Sequence, residues 1–147
     1  MAMSAIVLLL RVALGATLIA AGALKIPHPE QLAAAIAGFR LLPAGVVAPL
    51  ALGLPYCEVL VGLYLAIGLF TRIAAWVACA QFVVYAAAIA SAVVRGIPAS
   101  CGCFGPNDTA TADWPHVVVD LGLALVGAVV AFGAPGPLSV DRRLRKS

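Results

Sequence analysis

Four long apolar runs dominate the pattern of hydrophobic and polar positions along the chain. They cover approximately residues 4–25, 44–70, 72–95 and 115–134, and none shows the strict alternation that is typical of a half-buried strand. A helix needs about 20 mostly apolar residues to span a membrane. Because the lipid core offers no partners to backbone polar groups, we predict that each run is a transmembrane helix.

The segments between the runs predict how these helices are connected. In residues 28–43, Pro29 and Glu30 suit the first turn of a helix, and apolar residues then follow at helical spacing. This pattern predicts a short amphipathic helix at the membrane interface, with an ordinary connector as the alternative. Before the fourth run, Asp113 is a predicted N-cap and Pro115 fits the first helical turn.

The predicted fold class is all-α: a single domain over residues 1–147, built as an up-and-down four-helix bundle integral to the membrane. Of the residues, 64% are hydrophobic and 10% are charged, and the mean hydropathy is +1.11. A soluble domain of this length could not bury so much apolar surface, so we expect lipid around the chain and no nucleic-acid partner. Arg11 interrupts the first run, which favours a retained helix over a cleaved signal peptide.

The basic residues are distributed unevenly between the two predicted sides of the membrane. The side with the termini and the central hairpin carries Arg72, Arg142, Arg143, Arg145 and Lys146. The opposite side carries Lys25, Arg40 and Arg95. The positive-inside rule therefore predicts a multi-pass membrane protein with both termini cytoplasmic and the loop after the third run extracytoplasmic, and we expect it in a bacterial cytoplasmic membrane.

That loop contains two cysteines separated by one glycine, in the stretch PASCGCFGPND at residues 98–108. A disulfide between Cys101 and Cys103 would close a very small ring, which Gly102 makes easier for the backbone. Strained disulfides are readily reduced, which suits a thiol oxidant better than a structural link. Outside the cytoplasm such disulfides persist. The pattern thus favours redox chemistry or redox sensing.

Two other interpretations of this cysteine pair remain open. The thiolates could hold Cu(I), or Zn²⁺ with imidazoles from His28 or His116, although no further metal-ligand spacing is present and we assign no metal residue. Alternatively, the glycines and proline of the segment could simply shape a turn.

Three charged residues, Arg11, Glu58 and Asp120, fall inside the apolar runs. Intramembrane charges are costly and usually face the interior of a bundle in pairs. Counting depth along the runs predicts that Arg11 pairs with Glu58, and that Asp120 meets Lys25 or Arg95 at the opposite rim. We favour a packing role for these charges over a proton path to a redox centre.

Several of these residues together resemble the DoxX-like four-helix membrane proteins, and within them the methylamine utilisation protein MauE group. The matching features are Arg11 with Gly15, Gly22, Lys25-Ile26-Pro27, Leu42-Pro43, Glu58 with Gly62, Gly68, Thr71-Arg72, Arg95-Gly96 and the CGCFG of residues 101–105. The resemblance covers nearly the whole chain, and the CGCFG stretch is its specific part.

The resemblance implies a role in making or maturing disulfide-containing extracytoplasmic proteins beside a thioredoxin-like partner. We expect a membrane thiol–disulfide redox protein in which Cys101 and Cys103 cycle between dithiol and disulfide, supported by Arg95, Gly102 and Phe104. A nearby Arg95 would favour the thiolate. The alternatives are a non-enzymatic scaffold or assembly subunit of a larger membrane complex, and a metal-handling membrane protein.

The redox hypothesis needs an electron acceptor, because the sequence carries no haem or flavin motif. No cofactor is assigned with certainty, and a membrane quinone is the candidate acceptor, by analogy with other four-helix proteins that generate disulfides. Aromatic residues inside the runs could line a quinone pocket, although such residues more often pack. They are Tyr56, Tyr64, Trp76, Phe82 and Tyr85.

Overall fold

The computed structural model describes residues 2–100, 110–134 and 136–144, and within these ranges the chain is helical. The helices are α1 (Ala2–Lys25), α2 (Pro29–Gly38), α3 (Ala44–Ile67), α4 (Thr71–Val94), α5 (Trp114–Gly133) and α6 (Val140–Leu144). Four of them, α1, α3, α4 and α5, are long and apolar enough to cross a membrane. The predicted all-α fold with four spans and a short helix after the first is confirmed, while the interfacial position of α2 stays a prediction.

Local signals in the sequence set the helix ends. The carboxylate of Asp113 caps α5 by accepting a 3.1 Å hydrogen bond from the His116 amide, as predicted. The second span was predicted to reach residue 70, but α3 ends at Ile67. The reason is Gly68, whose positive φ of 73° turns the chain into a left-handed C-cap.

The four spans form a ring in chain order. Helix α1 packs most extensively against α3, and α4 against α5, while α3–α4 and α1–α5 contacts close the bundle. Helix α2 lies against α3. We call the end where α1 and α4 finish and α3 and α5 begin the loop end. The opposite end, with the α3–α4 turn and α6, is the hairpin end.

The contact between α1 and α3 is a direct approach of two backbones. A Cβ atom added to Gly62 would lie 2.7 Å from the carbonyl oxygen of Gly15, and one added to Gly15 would lie equally close to the Gly62 carbonyl. Farther along, a Cβ on Gly22 would meet the Pro55 carbonyl at 2.5 Å. Small residues at such positions let helices approach closely in lipid, where packing rather than water exclusion drives association.

This α1–α3 register overturns the predicted pair of Arg11 with Glu58. With Gly15 opposite Gly62 and Gly22 opposite Glu58, Arg11 lies beside the end of α3, at the hairpin end. Its side chain is 1% exposed, and Nη2 donates a 3.4 Å hydrogen bond to the Leu138 carbonyl. Arg11 therefore holds the C-terminal segment, and Glu58 is left to a partner at the loop end.

The C-terminal segment also caps α4. The two carboxylate oxygens of Asp141 each accept a 2.8 Å hydrogen bond, one from the Phe70 amide and one from the Thr71 amide. Partial burial alone would raise the pKa of Asp141, but these hydrogen bonds and the Arg11 charge outweigh it and hold the pKa below its ordinary value. The sequence did not predict α6 or this tertiary cap.

We predict that Gly62→Ala destabilises the protein by about 1–3 kcal/mol, because the new methyl group would push apart α1 and α3. The matched control is Gly53→Ala in the same helix, where an added Cβ meets no atom within 4 Å. That change should be neutral or slightly stabilising, since alanine favours the helix. Unfolding of both variants in mild detergent, followed by circular dichroism, checks this. Equal midpoints would show that the glycine contact does not set the packing.

Candidate functional site

A buried ion pair joins the last residue of α1 to the middle of α3. Lys25 is the last residue of α1, and its Nζ lies 2.8 and 2.9 Å from the two carboxylate oxygens of Glu58 on α3. The side chains are 4% and 1% exposed, respectively. The charges are thus withdrawn from both lipid and water, and each depends on the other for compensation.

Two polar side chains of α4 complete the coordination of Glu58. Gln81 Nε2 and the Tyr85 hydroxyl donate to Glu58 Oε1 at 3.1 and 2.5 Å, and Gln81 Nε2 also lies 2.8 Å from the Tyr85 oxygen. The Lys25 Nζ stands 5.5 Å from the centre of the Tyr85 ring. We call Lys25, Glu58, Gln81 and Tyr85 the polar cluster. It joins α1, α3 and α4 through one carboxylate.

Helix α5 brings a second buried carboxylate towards this cluster. Asp120 is 6% exposed, and its Oδ2 has no hydrogen-bond partner within the described ranges. It lies within electrostatic range of Lys25 and His116. Asp120 was predicted to meet Lys25. Within the described residues the two groups interact through their charges and do not form a direct ion pair.

At the rim of α5, the ring of His116 contacts the helix cap. The His116 Nδ1 lies 2.5 Å from Asp113 Oδ1, and its backbone amide donates to the same oxygen. These two hydrogen bonds, the side-chain one foremost, hold the pKa of Asp113 below its ordinary value. Because His116 and Asp120 are four residues apart, they share one face of α5. Titratable groups therefore extend from the rim towards the polar cluster.

A cavity of about 420 Å³ lies beside the polar cluster, between α2, α3 and α4. Most of its wall is apolar, and the larger contributors are Leu32, Ile36, Phe39, Leu50, Leu54 and Ile89. Its polar contributors are Lys25, Tyr85 and Ser91. A predominantly apolar pocket with a few polar groups is the usual form of a site for a small organic ligand.

Of the five aromatic residues considered for a quinone pocket, Tyr85 is the one that lines this cavity. Tyr56 faces outward. The rings of Tyr64, Trp76 and Phe82 stack edge-to-face on Phe70, Phe132 and Tyr85, respectively. The candidate pocket is therefore built mainly by aliphatic side chains.

The predicted redox residues Cys101, Gly102, Cys103 and Phe104 lie outside the described residues. The chain on either side of them is held together at the loop end. Ser100 and Thr111 form an isolated antiparallel bridge, and the Ala112 amide donates a 2.8 Å hydrogen bond to the Ala99 carbonyl. The cysteine segment thus begins and ends at the loop end, whereas the polar cluster lies deeper, around the middle of α3 and α4.

Arg95, predicted to support the cysteines, links α4 to the end of α2. Its guanidinium donates to the carbonyls of Phe39 and Arg40 and to the carbonyl and hydroxyl of Ser91. Its side chain remains exposed. These bonds fix one wall of the cavity, and an action of Arg95 on a thiol stays a prediction.

The other candidate ligands are separated in the structure. Across residues 2–100, 110–134 and 136–144, no three His, Cys, Asp or Glu side chains are grouped to hold a metal ion. His28 lies near Glu30, whereas His116 contacts Asp113. Cys57 faces outward and Cys79 is partly buried, each within a span. A metal site formed by the 101–103 pair itself falls outside the described residues.

Sequence reasoning missed Gln81 entirely. A glutamine inside an apolar run is costly in lipid unless it has partners, so its presence is itself a signal. Tyr85 follows it by one helical turn, which places two polar groups on the same face of α4. This pairing could have directed attention to α4 as a partner of Glu58.

The fold and site define a multi-pass helical membrane protein with a buried polar cluster beneath one end of its bundle. The family model described as methylamine utilisation protein MauE matches residues 3–133, and the chain belongs to this family. The wider DoxX-like grouping stays a prediction.

Two relatives carry the name methylamine utilization protein MauE. The one from Paracoccus denitrificans is 33% identical over 127 residues, which cover 86% of this chain and 68% of the relative. The one from Methylorubrum extorquens is 33% identical over 116 residues, which cover 76% of this chain and 60% of the relative. No solved structure matches the chain.

We predict that Lys25→Met destabilises the protein by about 3–5 kcal/mol, because Glu58 would be buried without a counter-charge. The double variant Lys25→Met/Glu58→Gln should recover most of this loss, since it removes both charges together. Unfolding midpoints of the wild type, both single variants and the double variant form a thermodynamic cycle. Strictly additive effects would contradict a direct coupling of the two residues.

Proposed function

We propose that the chain is an integral-membrane thiol–disulfide redox protein that supports disulfide formation in extracytoplasmic proteins. The names of its relatives refer to methylamine utilisation, which is the process that we propose this role serves. The observation that carries the proposal is the Cys101-Gly102-Cys103 sequence in a segment whose flanks meet at the loop end, the end towards which the cavity extends from the polar cluster. No other part of the sequence brings two cysteines together.

The chemistry is a two-electron thiol–disulfide exchange. A thiolate of an extracytoplasmic partner, for which a thioredoxin-like protein is the candidate, attacks the Cys101–Cys103 disulfide and forms a mixed disulfide. The second partner thiolate then displaces the chain's cysteine, so that the partner is oxidised and the cysteine pair becomes a dithiol. The cycle closes when this dithiol passes two electrons and two protons to a membrane acceptor.

We infer that the loop end faces away from the cytoplasm, as this chemistry requires. The described basic residues support this orientation. Lys25 is neutralised by Glu58 inside the bundle, which leaves Arg40 and Arg95 as exposed basic residues at the loop end. Arg72, Arg142 and Arg143 are exposed at the hairpin end. The excess of positive charge thus favours a cytoplasmic hairpin end.

We predict that Cys101→Ser and Cys103→Ser each abolish oxidation of a reduced thioredoxin-like partner, because neither variant can form the disulfide. The matched controls are Cys57→Ser and Cys79→Ser, which replace cysteines inside the spans and should leave the rate unchanged. The measurement is the rate of thiol loss in the partner, mixed with membranes that contain each variant at equal abundance. Full oxidation by both loop variants would overturn the proposal and favour a non-enzymatic assembly subunit.

A further inference from the structure

We propose that the cavity between α2, α3 and α4 binds the ring of a lipid-soluble quinone, with a ring carbonyl accepting a hydrogen bond from Lys25. The proposal rests on the proposed function only for the source of the electrons. Binding itself rests on the cavity and on the described residues that line it.

The dimensions and walls of the cavity suit a flat apolar ring with a short length of tail. Its volume of about 420 Å³ falls in the range of pockets that hold small organic ligands. Leu32 and Ile36 of α2 and Leu50 and Leu54 of α3 line it, and Phe39 adds an aromatic residue. Because the chain spans the membrane, a ligand that partitions into lipid has direct access to such walls.

The charges around the cavity favour a neutral ligand over an anion. The Lys25 ammonium is already matched by Glu58, and Asp120 adds a second carboxylate within its electrostatic range. A phosphate or a fatty-acid carboxylate inside the cavity would therefore meet a cation that carboxylates already match, whereas the Arg95 guanidinium is engaged at the wall by Ser91 and the Phe39 carbonyl. A ketone-like oxygen needs only a hydrogen-bond donor, so a neutral carbonyl compound is the better fit.

Lys25 has a donor available for that oxygen. An ammonium carries three N–H groups, and within the described ranges Lys25 directs its hydrogen bonds to the two oxygens of Glu58. The Tyr85 hydroxyl is occupied, since it donates to Glu58 and lies in hydrogen-bond contact with Gln81. We therefore assign the hydrogen bond to Lys25, and assign Tyr85 the role of holding the carboxylate and forming the wall.

The electron balance is complete with this ligand. Oxidation of the Cys101–Cys103 dithiol to a disulfide releases two electrons and two protons, and reduction of a quinone to a hydroquinone consumes both. Neither oxygen nor a further cofactor is needed. Within the polar cluster, the Lys25 ammonium would be the group that stabilises negative charge on the quinone oxygen.

The test is direct binding of two quinones, ubiquinone-1 and the tail-free menadione, to the full chain in lipid nanodiscs, measured by calorimetry. Ala35→Phe places a ring into the cavity and should weaken both affinities at least tenfold, because Ala35 lines the cavity. The matched control is Ala34→Phe, at the neighbouring residue of α2, which faces outward and does not line the cavity. It should bind like the wild type.

A second variant tests the donor. Lys25→Met/Glu58→Gln removes the ammonium without leaving a buried charge, and we expect about a tenfold loss of affinity for both quinones. Equal binding by the wild type, Ala35→Phe and Ala34→Phe, or no binding of either quinone, would overturn the proposal. Displacement of ubiquinone-1 by oleate, together with no binding of menadione, would likewise overturn it and identify an acyl-chain site.

The same assay separates this inference from the proposed function. The double variant Cys101→Ser/Cys103→Ser should bind both quinones with wild-type affinity, since we assign binding to the side chains of α2, α3 and α4 and to Lys25, which line the cavity. Two results together would separate the hypotheses: partner oxidation without the cysteines, and quinone binding that Ala35→Phe still weakens. They would contradict the proposed thiol–disulfide function and support the quinone site.

Discussion

The ion pair between Lys25 and Glu58 is the interaction on which the packing of α1, α3 and α4 depends. A lysine or a glutamate buried alone within the membrane carries a large desolvation penalty. The penalty is offset only when the two charges are in contact and their remaining hydrogen-bonding groups have partners. Gln81 and Tyr85 of α4 provide such partners, because both donate hydrogen bonds to the Glu58 carboxylate. One carboxylate thereby fixes the relative positions of three helices, and the cavity is the space that their arrangement leaves under α2.

The two ends of the bundle use buried charge differently. At the hairpin end, Arg11 and Asp141 anchor the C-terminal segment by binding backbone groups, and they close that end. Between the middle of the bundle and the loop end, the charges bind one another and lie next to an apolar cavity. The first arrangement satisfies helix termini, whereas the second leaves polar groups beside a space that a ligand can enter.

The spans could be predicted from sequence because an apolar run of that length in lipid must satisfy its own backbone hydrogen bonds, and a helix does so. The pairing of the charged residues could not be predicted in this way. Counting residues from the end of each run gives a depth, but it does not give the register between two packed helices. The contact of Gly15 with Gly62 sets that register, and it brings Glu58 to Lys25 and takes Arg11 to the opposite end. The cavity could not be predicted from sequence either. Residues of three helices line it, so it exists only after α2, α3 and α4 have packed together.

The orientation and oxidation state of the cysteine pair are the most direct test of this account. A membrane-impermeant maleimide is applied to intact cells with and without prior reduction, and labelling of Cys101 and Cys103 is measured by mass spectrometry. We expect labelling from outside only after reduction, as an extracytoplasmic disulfide requires. Labelling only once the membrane has been opened would place the loop end in the cytoplasm and contradict the proposed role.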